Sequence, residues 1–160
     1  MSIGVADDDD VGYAYRIGVD ARGNYTGLAG LHNPARIDAP TFNGEAKFAG
    51  TASMRIIDRL TPQSSFAQSV PFTAPIVVRV DLAEGTFAGR TSPPSSSADW
   101  QLTFNGTFSG GDMTGTSRLT GLRFDTSGAF LGRAGDEKAI GAFHGNNSED
   151  VYAGGLIATR

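Results

Sequence analysis

The sequence predicts an all-β fold, a roughly eight-stranded antiparallel up-and-down barrel behind a disordered acidic leader. Three observations lead there. Glycine fills 22 of 160 positions, nearly twice its usual ~7%, while Leu, Glu and Lys, the builders of amphipathic helices, are sparse. Over residues 44–56 the even positions are Gly44, Ala46, Phe48, Gly50, Ala52, Met54 and Ile56, and the odd ones begin Glu45, Lys47, Ala49, Thr51, Ser53 and Arg55. That is the period of a β-strand. A strand this long with a small, apolar face suits a barrel, where tilt lengthens strands and glycines let them coil. The alternation returns in Trp100, Leu102, Phe104, Gly106 and Phe108, and again in Met113, Gly115, Ser117 and Leu119.

Taken in order, residues 1–11 form the leader, because the carboxylates from Asp7 to Asp10 repel one another and no core accepts them. Residues 12–160 form a single barrel domain. Segments 13–19 and 25–31 flank Asp20-Ala21-Arg22-Gly23-Asn24, a first hairpin with Gly23 or Asn24 at positive φ. After the long strand, residues 60–75 carry Pro62, Pro71 and Pro75 and read as a surface connection. Ile76, Val78, Val80 and Leu82 alternate into the turn Ala83-Glu84-Gly85 and a return strand over 86–90. Residues 91–99 hold Pro93-Pro94 in a serine-rich loop. Ser109-Gly110-Gly111-Asp112 turns between the next two strands. Between 121 and 136 the pattern weakens: Leu122, Phe124, Phe130 and Leu131 fit either strand or loop, with Asp125-Thr126-Ser127-Gly128 as a turn. The chain closes with Gly141-Ala142-Phe143-His144-Gly145, a polar turn through the solvated pair Glu149 and Asp150, and a last apolar strand over 151–158.

Composition excludes several classes. Without cysteine there is no disulfide, thiolate site or cysteine nucleophile. A net charge of -4, with thirteen scattered basic residues, argues against a nucleic-acid binder, whose affinity rests on clustered cations meeting phosphates. No apolar run approaches the ~20 residues of a membrane helix. The start Met1-Ser2-Ile3-Gly4-Val5 lacks the regions of a signal peptide, so an exported location implies a signal outside this sequence. Neither a Gly-x-Ser-x-Gly elbow nor a phosphate loop occurs, and the expectation is a protein that is not an enzyme, with no catalytic residues.

Three segments together carry a family resemblance. They are Phe42-Asn43-Gly44-Glu45-Ala46-Lys47-Phe48-Ala49-Gly50, the alternating pair running through Val78-Arg79-Val80-Asp81 to Gly89 with the pair after Trp100, and the closing hairpin. In order and spacing, from about Phe42 to the end, this resembles the barrel domains of the transferrin-binding protein B family. The resemblance implies a surface lipoprotein of Gram-negative bacteria, extracellular or on the outer membrane, that captures a host protein, an iron source or haem through its loops, with an outer-membrane receptor as a further candidate partner. His144 and Asn146 stand where the family usually has Tyr and Pro, and no handle domain or anchoring Cys is expected in this bare barrel.

The working surface is expected in the loops 31–41, 60–75 and 91–99, which a short-turn barrel does not need for closure. Two separate histidines fall short of a zinc site, and no metal is expected. Haem needs only one or two axial ligands, for which His32, His144, Tyr13, Tyr15, Met54 and Met113 are the candidates. His32 lies at a predicted hairpin end, where barrel ligands enter. Other readings are a secreted haem-binding protein, a lipocalin-like carrier of small molecules, to which the mid-chain Trp100 gives little support, and an adhesin domain.

Overall fold

The computed structural model describes residues 2–8, 10–58, 72–92, 100–121 and 125–160. Among them run the strands β1 (Ser2–Asp8), β2 (Val11–Val19), β3 (Tyr25–His32), β4 (Glu45–Asp58), β5 (Phe72–Asp81), β6 (Thr86–Thr91), β7 (Trp100–Ser109), β8 (Asp112–Gly121), β9 (Asp125–Ala134), β10 (Lys138–Asn146) and β11 (Asp150–Thr159). Strands β4 to β11 form a closed antiparallel barrel in sequence order, sealed where β11 pairs with β4 from Asp150↔Asp58 to Thr159↔Ala49. Closure removes every sheet edge from these eight strands.

The long strand behaves as its alternation predicts. Ala46, Phe48, Ala52, Met54 and Ile56 are buried, whereas Glu45, Lys47, Ala49 and Thr51 are exposed. Inside the barrel the rings of Phe104 and Phe130 stack at 4.4 Å, and Phe87 lies 5.2 Å from Phe130. Glycine makes room for them. A Cβ at Gly141 would lie 2.6 Å from the Phe130 ring, and one at Gly89 would strike Phe104. Arg79, Arg90 and Arg118 point outward on strands whose inward positions, Thr91 and Ser117 aside, are apolar or glycine. This is the reverse of the alternation in a membrane-spanning barrel.

Four expectations change. The first hairpin, β2 and β3, stands outside the barrel in a separate three-stranded sheet, so residues 12–160 are not one bare barrel. Its turn is as read, with Gly23 at φ 83 and Asp20 accepting the Arg22 and Asn24 amides. The acidic leader contributes the third strand: β1 pairs with β2 from Ser2↔Ile17 to Asp8↔Val11. The ladder satisfies its backbone, and an edge strand tolerates charge. Residues 125–134 form a full strand, with no turn at 125–128. Its inward positions include Thr126, Gly128 and Gly132, too small and polar to display an apolar period. Finally, β5 begins at Phe72 and includes Pro75, which is possible because the β5–β6 ladder starts only at Ile76↔Thr91. Pro75 therefore has a ladder on one side alone.

The small sheet lies on the barrel's outer wall at β10 and β11. Tyr13, Tyr15 and Ile17 pack on Ile57, Ala142, Val151 and Ala153, and Val11 joins Ile37 and Ile140. The Tyr13 ring seats directly on Gly155. Consequently β10 and β11 are buried on both faces over most of their length.

Candidate binding mouth of the barrel

Up-and-down order sends the connections β4–β5, β6–β7, β8–β9 and β10–β11 to one end of the barrel and the turns β5–β6, β7–β8 and β9–β10 to the other. The two ends differ. At the second, residues 82–85, 110–111 and 135–137 suffice. Gly110 and Gly111 adopt φ 60 and 98, left-handed values that only a residue without Cβ takes readily, and so permit a two-residue turn. At the first end the strands are joined through residues 59–71 and 92–99, besides the shorter 122–124 and 147–149. Most of the expected working loops 60–75 and 91–99 thus lies outside the described residues. The third, 31–41, belongs to the opposite end, where Thr41 and Phe42 donate to the Asp136 carboxylate and hold its pKa below the usual range.

Several side chains turn into the barrel beneath the long connections. Phe72 stands opposite Met54 and meets Trp100 edge to face, with ring centroids 5.8 Å apart. Phe72 is 37% exposed and Trp100 only 3%. Among the described residues the buried indole N–H of Trp100 has no hydrogen-bond partner, an arrangement that usually costs about 1–3 kcal/mol. Across the mouth the Tyr152 hydroxyl lies 2.7 Å from Ser117 Oγ, which also donates to the Ala129 carbonyl. Burial pushes the Tyr152 phenol up to about 12, against the opposing hydrogen bond to Ser117.

The closing turn supplies a second polar group. Asn147 Oδ1 accepts the amides of Glu149 and Asp150, while its Nδ2 donates to Thr126 Oγ1 and to the Asp125 carbonyl. Thr126 Oγ1 lies 3.4 Å from Asp150 Oδ2. Here the sequence reading needs correction, because the acidic pair is split: Glu149 is exposed, but Asp150 is buried on the inward parity of β11. Alternation from Val151 onward would have placed Asp150 inward. Its charge argued the other way.

The six haem candidates occupy separate environments. Met54 and Met113 are buried inside the barrel. Tyr13 and Tyr15 lie between the small sheet and the barrel, stacked at 6.3 Å. Burial raises the Tyr13 phenol to about 12, opposed by a hydrogen bond with Ser53. His144 faces outward on β10, half-buried, and desolvation lowers its pKa below the ordinary 6.5. His32 is exposed at the end of β3, with Nε2 3.7 Å from Asp10 and 3.1 Å from Asn33 Nδ2. The Tyr13–Tyr15 stack brings two of the six together, and Met54 and Met113 share the core cluster inside the barrel. Among the described residues no three of His, Asp or Glu group as metal ligands.

No protein-family model matches this sequence, and no curated protein sequence matches it. Solved structures do. The isotype 1 transferrin binding protein B from serogroup B Neisseria meningitidis aligns with 99% of this chain at 12% identity and a TM-score of 0.58. The chain has a transferrin-binding protein B-like barrel fold. Intact Ap-TbpB, with its N and C lobes, aligns over 99% of the chain at TM-score 0.57, and a tryptophan-to-alanine mutant of the Haemophilus parasuis Hp5 vaccine antigen TbpB at 0.54, both at 12% identity. The chain covers 34–37% of the length of these proteins. The alignments take in the small sheet as well as the barrel. No helix among the described residues is long and apolar enough to cross a membrane.

Proposed function

We propose that this chain is a non-enzymatic binding module that captures a host protein at the long-connection end of its barrel, from an extracellular or outer-membrane location. The observation carrying this reading is the asymmetry of the two ends. Seven connections close the barrel; the three at one end are tight turns, while the other end has residues 59–71 and 92–99, far more chain than closure needs. At that end, partly exposed Phe72 and the Trp100 N–H, which has no partner among the described residues, offer an aromatic anchor and a donor to an incoming segment. The structural neighbours, named for binding transferrin, make an iron-carrying serum protein the leading partner class.

The test is capture from serum on the immobilised chain, followed by titration with purified iron-loaded transferrin. Shortening residues 61–70 and 94–98 to Gly-Ser links should abolish capture while the barrel stays folded. Capture unaffected by shortening would overturn the assignment to this end. Haemin added in parallel distinguishes a haem-binding protein: a Soret shift lost in His32→Ala or His144→Ala would replace the protein-capture reading.

A further inference from the structure

The outer wall across β4 to β7 carries a hollow of about 450 Å³ lined by Lys47, Arg79 and Arg90. Strand register builds it. Lys47, Arg79, Ala88 and Asn105 stand side by side in one outward row, and Ala49, Val77, Arg90 and Thr103 in the next. Ala88 and Val77 give a low aliphatic floor at the centre, with long cationic side chains around it. Lys47 is directly opposite Arg79, a like-charge pairing that destabilises an antiparallel ladder.

Glu45 relieves only part of this charge, bonding Arg79 at 2.8 Å. Elsewhere on the barrel, Arg118 and Arg133 each have a carboxylate, Asp125 and Asp112. Lys47 and Arg90 make no ion pair among the described residues, and both line this hollow. A chain of net charge -4 thus gathers three cations in a concave site whose described lining holds no carboxylate, with Glu45 and Asp81 in the next outward row.

We propose that this hollow binds clustered carboxylates on an acidic segment of a protein partner. Guanidinium groups match carboxylates in bidentate geometry, and the aliphatic floor accommodates the methylenes of Glu or Asp side chains. A nucleic acid fits less well, because its charge continues past the hollow onto a surface that is negative overall. The site lies on the outer wall and reaches the base of the 92–99 connection at Ser92, but the wall variants below leave both long connections intact, so its failure is distinguishable from that of the capture reading.

Calorimetric titration with a hexaglutamate peptide tests it. Binding to the intact chain should weaken as ionic strength rises from about 0.05 to about 0.3 M. Lys47→Glu/Arg90→Glu should reduce affinity by about tenfold or more, with an unchanged circular dichroism spectrum. Arg118→Glu, on another part of the barrel, should leave it within about twofold. Lack of peptide binding, equal binding by the double variant, or tighter binding of a single-stranded oligonucleotide would each overturn the proposal.

Discussion

One side of the barrel is covered and the other is bare. On β10 and β11 the outward residues Ile140, Ala142, Val151, Ala153 and Ile157 meet the small sheet. On β5 to β8 the outward residues include Arg79, Arg90, Asn105, Thr116 and Arg118, all exposed. Both walls share the same ladder geometry and the same apolar interior. The difference teaches that a strand's polar face records what lies outside the barrel. Clean alternation marks a wall against water, and its disappearance marks a wall with a second layer upon it.

Removing residues 141–160 would break the comparison outright. It takes away most of β10 and all of β11, opens the barrel at β9 and β4, and leaves the small sheet nothing to cover. Urea denaturation should show no cooperative transition, and a folded truncation would refute the closed barrel. Placing a carboxylate on each wall is a finer test. Ala142→Asp buries an unpaired charge beneath the sheet and should cost about 3–5 kcal/mol, while Thr116→Asp on the bare wall should stay within about 0.5 kcal/mol. Similar midpoints for the two would mean the sheet does not exclude water. Ile17→Ala, from the covering layer itself, should cost about 2–5 kcal/mol. Hydrogen exchange should then quicken at β10 and β11 and leave β6 to β8 unchanged.

The smallest effect is pH-dependent and falls on the covered wall alone. Desolvation lowers the folded-state pKa of His144 below its ordinary 6.5. The unfolded chain therefore binds more protons just below that pH, and stability falls as the pH drops through about 6.5. His144→Gln should flatten this part of the stability profile, measured as urea midpoints between about pH 5 and 7. An unaltered slope would show that the imidazole is as well hydrated as in the unfolded chain.

The barrel was legible where one face met water. Residues 44–56, 100–108 and 113–119 alternate strongly, and the structure keeps their parity. Strand β9 was not, because Thr126, Gly128 and Gly132 at inward positions erase the apolar period. The first hairpin was readable as a hairpin but not as a separate sheet, since period two says which face is buried and not what buries it. The near-continuous apolar and glycine residues of the closing hairpin were the available signal for a second layer. At the mouth, the proline-marked connections were visible in sequence. The burial of Asp150 depends on its register with β4 and on Thr126 from β9, partners distant along the chain.

Trp100 is the only tryptophan in the chain, and it sits at the end where the long connections arise, edge to face with Phe72. The fold thereby carries its own optical probe. Selective excitation of the indole reports on that end without any attached dye, and its low exposure sets a blue-shifted emission in the free state. A partner segment that reaches the indole N–H or displaces Phe72 should alter intensity or anisotropy, whereas a ligand confined to the distant turns should leave the emission unchanged.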